Sequence, residues 1–334
     1  MSEDVTTLPS LTVVVPATSG RVDNLKLVFR SLARQTYKNF DVVVVNDGAH
    51  PDVRVFALFN LFDHEFTYVD QPKFERADVS VVRGEHPHMD VLKPAKNRQP
   101  RNTGALVAPS QYLVFADSDI VMHRRALECF ASDLAGHPNA IVCGMYHWLP
   151  PMDATADRIF ESDESFRQFL SAGFPVAPFP EGEQSHNVGP DFRSERFQKT
   201  DHTEEHGDLY AALAAYSGML AVRKGLFLGL GGYDAWLSAG LVEDGAFGIK
   251  ALLEGHKFVF DKRIQAGHVY HPRDKEYVVR QSKVEVTIME QFYGLGEWRG
   301  DSSPFSEDGQ IAWDEVTGRV KKSWADDEAA PVGR

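Results

Sequence analysis

Two aspartates, Asp117 and Asp119, flank Ser118 directly after the apolar run at 111–116, QYLVFA. Carboxylates at the carboxyl end of a buried strand can point out of the sheet edge, towards a hard cation and the phosphate oxygens it binds. A D-x-D triplet is common, and a solvated turn after a strand explains it about as well when it stands alone. Its setting strengthens it. Upstream, the β-branched run at 40–45 ends in Asn46-Asp47-Gly48, a turn signal at the same kind of strand end. Far downstream, His268 and His271 sit in Gly267-His268-Val269-Tyr270-His271-Pro272-Arg273-Asp274. Imidazole suits manganese and other transition ions, and a histidine arriving from a late loop can close a coordination shell begun by a carboxylate. A lone histidine is more often structural than a ligand. Tyr233 and Trp236 offer ring faces that can stack on a ligand, with core packing as the equal alternative.

These residues need a scaffold, and the first hundred-odd positions alternate short β-branched runs with amphipathic stretches, as βαβ units do. Residues 11–16 (LTVVVP) read as a fully buried strand, and Leu25, Val28, Phe29 and Leu32 then fall on one helical face. Strands are expected at 40–45, 66–69 and 111–116, and a helix at 52–62. Regular pattern returns at 209–222 and 245–253, a strand is expected at 257–260, and a long helix at 276–292. Between them, 149–208 loses periodicity and gathers Pro, Gly, Ser and charge, as an elaborated functional loop would. Acceptor contacts are expected there.

Composition narrows the function. The 334 residues carry 35 Lys plus Arg against 48 Asp plus Glu, a formal charge of −13 that argues against a surface tracking a nucleic-acid backbone. The stretch 72–101 reverses that balance locally and keeps a DNA-base acceptor open as a minority reading. Two cysteines, Cys129 and Cys143, lie in apolar runs and read as buried thiols, not as a disulfide framework. No apolar run approaches the ~18 residues of a spanning helix, and residues 1–10 lack signal-peptide character, so a cytoplasmic protein is expected.

An ordered series of motifs resembles glycosyltransferase family 2 and its GT-A relatives. It comprises VVVP at 13–16, Ser31-Leu32-Ala33-Arg34-Gln35-Thr36, VVVVNDG at 42–48, Arg101-Asn102-Thr103-Gly104, Asp117-Ser118-Asp119, Gly231-Gly232-Tyr233-Asp234 and Glu243-Asp244. Together they cover about residues 11 to 272. The resemblance implies an α/β GT-A fold with a single Rossmann-like, mostly parallel sheet flanked by helices, an acceptor-side subregion and a C-terminal helix. The expected organisation is a flexible 1–10, a catalytic domain at 11–275, a helix at 276–300 and a polar tail at 301–334. Within the domain, 11–120 would bind nucleotide and 121–275 would hold the acceptor.

Further roles follow from the same resemblance. Pro16, Ala17, Thr18 and Asp47 would meet the nucleotide base, with the Asp47 carboxylate accepting the imide N–H of uracil, which favours a UDP-sugar. Arg101 and Asn102, helped by Lys96, would serve the diphosphate beside Asp117 and Ser118, although a solvated charged loop explains the basic residues nearly as well. Asp119 with His271, and His268 second, would hold Mn2+ or Mg2+; this late segment also resembles that of the β-1,4-galactosyltransferases. Asp244 would take the proton of an acceptor hydroxyl in an inverting transfer while Glu243 orients the acceptor, or the pair simply caps the next helix. Ser217, Gly218, Tyr233 and Trp236 would line the sugar and acceptor side. Ala239-Gly240-Leu241-Val242 replaces the Trp-Gly-Gly that precedes the acidic pair in some relatives, which leaves the acceptor open: a small molecule, a glycan, a protein or a modified nucleic-acid base. A retaining transferase, a nucleotidyltransferase and a non-catalytic sugar-nucleotide or glycan-binding module are the alternatives. No Gly-rich triphosphate loop follows the first strand.

Overall fold

A computed structural model describes residues 8–18, 22–47, 66–70, 98–149, 157–170, 189–190, 193–234 and 242–270. The helices expected at 52–62 and 276–292, most of the basic stretch 72–101 and the polar tail lie outside the described residues.

The chain opens with β1 (Leu11–Thr18), α1 (Val22–Ala33), β2 (Phe40–Asp47) and β3 (Phe66–Asp70), then α2 (Arg98–Val107), β4 (Tyr112–Ala116) and β5 (Ile120–Met122). These are followed by α3 (Ala126–Gly136), β6 (Ile141–Leu149), α4 (Asp163–Leu170), β7 (Gly189–Pro190) and α5 (Ser194–Lys199). The last described elements are α6 (Leu209–Leu213), β8 (Met219–Arg223), α7 (Lys224–Gly229), α8 (Val242–Leu253) and β9 (Phe258–Val269). Among the described residues the strands form one sheet in the order β3-β2-β1-β4-β8-β6-β9-β5, with β7 alongside β6. Strands β1, β2, β3 and β4 pair in parallel, as do β6 and β9, while β8 is antiparallel to both β4 and β6, and β5 is antiparallel to β9. Six strands therefore share one direction, and the mostly parallel α/β sheet expected from the sequence is present.

The unbroken apolar runs of β1 and β2 follow from burial on both faces. Val14, Val43 and Val45 enter a core shared with Phe227, Phe247 and the helix α8, whereas Val13, Val15, Val42 and Val44 face Leu25, Val28, Phe29 and Leu32 of α1. Each fully buried Val or Leu side chain contributes about 1.5–3 kcal/mol relative to exposure, so these two layers fix the sheet against its helices. Cys129 and Cys143 are both buried free thiols, as their apolar settings suggest.

Two expectations need correction. The span 149–208 is not simply irregular: α4, α5 and a 3₁₀ turn at Asp157–Phe160 lie within it, and Phe166, Phe169 and Leu170 bury against Leu149 and Val269. Elements of four to eight residues are too short to show a period. Strand β9 runs on to Val269, well past 260, because the charged Asp261-Lys262-Arg263 interrupts its apolar pattern without ending the pairing, and a register shift opposite Gly144/Met145 accommodates it. His268 is consequently a strand residue and not part of a late loop. Among the described residues no helix is long and apolar enough to cross a membrane.

Candidate active site

The candidate groups gather at the carboxyl ends of the parallel strands. The register of β1 with β2 sets Pro16 beside Val45, Ala17 beside Asn46 and Thr18 beside Asp47. Pro16 and Ala17 are buried and Asp47 is half-buried, so that edge presents backbone from β1 and a carboxylate from β2. One strand over, β4 ends at Ala116, which pairs with Met219 at the start of β8; Ser217 and Gly218 are thereby drawn up to Asp117. A Cβ added to Gly218 would stand 3.6 Å from Asp117 Oδ2.

Asp117-Ser118-Asp119 is a turn closed by the Ile120 amide donating to the Asp117 carbonyl at 3.1 Å. Ser118 and Asp119 are buried, and the Val269 amide donates to the Asp119 carbonyl at 2.9 Å. Since Ile120 pairs with His268 across β5 and β9, the imidazole comes to lie beside the carboxylate: His268 Nε2 is 3.4 Å from Asp119 Oδ1. Two ligands of one ion, each bonded at about 2.1 Å, stand at about this separation when they occupy neighbouring coordination positions. Asp119 and His268 thus fit a divalent cation as a carboxylate–imidazole pair. Among the described residues no third His, Cys, Asp or Glu converges on them. His271 lies outside the described residues, as do Lys96 and Trp236.

Arg101 is the cationic centre of the site. It is carried by α2, which lies tight on the sheet because Gly104 has no side chain: a Cβ there would come within 2.3 Å of Val14 Cγ1. Its guanidinium is paired with Asp117 and lies 4.0 Å from Glu243 Oε1. Burial works against the charged form, but Asp117, Asp244 and Glu243 more than compensate, and the group is held protonated well above its ordinary range. Asn102, one residue on, faces the other way. Its amide nitrogen donates to the Tyr233 carbonyl at 2.8 Å and its oxygen accepts from the Tyr233 amide at 3.0 Å, which pins the turn 231–234. The described geometry therefore gives Asn102 a positioning contact with that turn and shows none with Asp117 or Asp119.

Glu243 and Asp244 occupy the first turn of α8, and both are buried. They stand at a helix start, as the capping alternative has it, and also beside the other candidate groups. Asp244 receives a hydrogen bond from Ser217, while its Oδ1 has no hydrogen-bond partner among the described residues. Burial, then the neighbouring Glu243 charge, push its pKa up to about 7, against the opposing pull of Arg101 and the Ser217 hydroxyl. A carboxylate so placed can accept a proton near neutrality.

The structure does not support Tyr233 as a sugar platform. It is 1 % exposed, wedged among Phe115, Phe227 and Phe247 at centroid distances of 5.6, 5.3 and 5.2 Å, so no ring face is available. Two contributors go unnoticed in the sequence. Lys250 of α8 donates to the Gly232 carbonyl and to Asp234, both at 2.8 Å, and clamps the far side of the turn that Asn102 holds. Trp148, near the end of β6, lies 4.0 Å from the His268 ring, centroid to centroid. The alternation Tyr146-His147-Trp148 marks a strand with both aromatic rings on one face, but only the β6–β9 pairing sets that face beside His268.

No family model matches the chain. Over 139 residues, 41% of its length, it is 29% identical to the glycosyltransferase GlyA of Streptococcus pneumoniae serotype 4, of which the match spans 17%. Among solved structures it resembles residues 1–349 of S. aureus TarS with a TM-score of 0.53 and 14% identity, covering 92% of this chain and 69% of that one. The complex of that protein with UDP-GlcNAc matches at a TM-score of 0.52 and 14% identity, over 92% and 70% of the two chains. GalNAc-T7 with UDP, GalNAc and Mn2+ matches at 0.52 and 15% identity, over 83% of this chain and 48% of that one. The fold is the GT-A fold of nucleotide-sugar glycosyltransferases, as the ordered motifs imply.

Proposed function

We propose that the protein is a metal-dependent glycosyltransferase that moves a sugar from a UDP-sugar to an acceptor hydroxyl, with inversion, Asp244 acting as base. The observation that carries this reading is the convergence of three differently charged groups at one sheet edge: the Asp119–His268 pair, the buried cation Arg101, and the buried carboxylate Asp244 beside Ser217. UDP-GlcNAc bound to TarS, and UDP with Mn2+ on GalNAc-T7, support the choice of donor and ion.

Asp47 at the end of β2 would accept from the base, and the strand-end backbone at 16–18 would line the nucleoside. Asp119 and His268 would hold the ion, joined by any ligand that His271 supplies. When bound, the ion neutralises charge on the diphosphate as the glycosidic bond breaks. Arg101, fixed by Asp117, adds a permanent positive charge to the same side. On the other side, Asp244 takes the acceptor proton as the acceptor oxygen forms its bond to the anomeric carbon. The bond from that carbon to the diphosphate oxygen breaks, and UDP departs with the electron pair. Ser217 keeps the Asp244 carboxylate oriented.

UDP release from a panel of UDP-sugars, measured with Mn2+ and candidate acceptors, tests the reading. Asp119→Asn and Asp244→Asn should each remove nearly all turnover while leaving the melting temperature close to that of the parent. Near-normal turnover in either variant removes that residue from the mechanism, and a product of retained anomeric configuration removes Asp244 as base.

A further inference from the structure

A metal-ligating imidazole needs its ring held in one orientation. Aromatic rings flank that of His268. The indole of Trp148 lies 4.0 Å from the His268 imidazole with the planes 32° apart, close to an offset stack. Tyr146 meets the same imidazole edge-on, at 5.3 Å and 87°, and meets Trp148 at 5.6 Å and 84°. These contacts are built into the sheet. In the parallel β6–β9 register Tyr146 is opposite Ala266 and Trp148 opposite His268, so two aromatic side chains on one face of β6 frame one histidine on β9. Strand β5 fixes the backbone beside it through the pairing of Ile120 with His268 and the Val269 amide on the Asp119 carbonyl.

We propose that Trp148 is a positioning residue for the divalent cation: with Tyr146 it holds the His268 imidazole in the orientation that sets Nε2 against Asp119 Oδ1. This inference rests on the reading of Asp119 and His268 as ligands. The stack restricts rotation of the imidazole about its side-chain bonds, so the ring is pre-set for the ion and loses little freedom on binding it. Groups that orient a ligand without touching the metal commonly alter metal affinity 10–100-fold when replaced.

Binding of Mn2+ to the whole chain in the presence of UDP, followed by the loss of the free-ion paramagnetic resonance signal, provides the test. Trp148→Leu should weaken Mn2+ binding by about tenfold or more. Trp148→Phe, which keeps a flat ring, should recover most of the affinity. His268→Ala should lose at least as much as Trp148→Leu. Mn2+ should also quench the indole fluorescence of the parent, and Trp148→Phe should lack the Trp148 share of that quenching, which checks that the ion sits beside this ring; a residue serving only the core would change the melting temperature and leave Mn2+ affinity unaltered. If Trp148→Leu binds Mn2+ like the parent while His268→Ala does not, the positioning role is wrong and the ligand assignment stands. If Trp148→Leu leaves Mn2+ binding intact but raises the acceptor KM, the indole serves the acceptor and the proposal fails. If His268→Ala leaves Mn2+ binding unchanged, both the ligand reading and the inference built on it fail.

Discussion

Asp244 is a buried carboxylate whose charge state is set by its neighbours, and its kinetics should show them. Burial and Glu243 raise its pKa to about 7. A base works only when deprotonated, so kcat/KM should climb with pH through neutrality and level off above it. Arg101 lowers the same pKa. Its replacement in Arg101→Met should therefore move the rising limb to higher pH and also weaken UDP binding; a pH profile unchanged by that substitution would separate Arg101 from the base. Asp244→Asn should reduce turnover by about 10²- to 10⁴-fold, the usual worth of a positioned base. At this scale the sequence is informative about position where a motif adjoins a readable element: Asp117 and Asp119 follow β4, and Arg101, Glu243 and Asp244 are carried by α2 and α8 to the same region. It misleads at Tyr233, because nothing in a Gly-Gly-Tyr-Asp turn reveals that the ring folds inward onto Phe115, Phe227 and Phe247.

The elements that deliver these groups are seated by close contacts. Helix α8 presents Glu243 and Asp244 because it approaches α6 at Gly248, where an added Cβ would stand 1.9 Å from the Ala212 carbonyl oxygen. Gly248→Val should force the helices apart, costing about 1–3 kcal/mol of stability and lowering turnover further than the loss of folded protein accounts for; chemical denaturation and activity per folded molecule measure the two effects. The turn 231–234 is clamped by Asn102 and Lys250. Asn102→Ala leaves the Tyr233 amide and carbonyl without these bonds, at about 1–3 kcal/mol, and should change acceptor KM more than UDP affinity. Comparable losses in both would instead assign Asn102 to the diphosphate. Strands β1, β2 and β4 are legible because they are apolar on both faces. The full length of β9 is not, since Asp261, Lys262 and Arg263 look like a loop until Asp133 of α3 is seen to receive Arg263 at 2.8 Å.

Across the whole molecule, that last contact links helix layer to sheet, and the carboxyl pair beside it, Asp133 with Asp261, makes stability depend on pH although Arg263 opposes the shift. Asp133 is buried beside Asp261, and burial first, then its hydrogen bond to Asp261, push its pKa up to about 8. The folded protein keeps a proton there that the unfolded chain gives up near the ordinary aspartate value of 3.8, so this contribution is complete below that pH and is lost as pH rises to about 8. Asp133→Asn, which cannot ionise, should therefore gain in melting temperature relative to the parent over that window, and a constant difference would show that the pair does not share a proton. The mostly parallel sheet with helices on both sides follows from the apolar runs and amphipathic stretches that succeed one another in the sequence, whereas the strand order does not. The meeting of β6 with β9, which assembles the aromatic frame at His268, depends on a long-range pairing with no local signal. Both halves come together in the claim of an ion-dependent donor site, and thermal stabilisation by UDP with Mn2+ or with chelator tests it most directly. At a UDP concentration near 100 times Kd the parent should melt about 5 °C higher with Mn2+, and the shift should vanish with chelator and in Asp119→Ala. An equal shift with and without the ion, or none with UDP at all, would contradict the account.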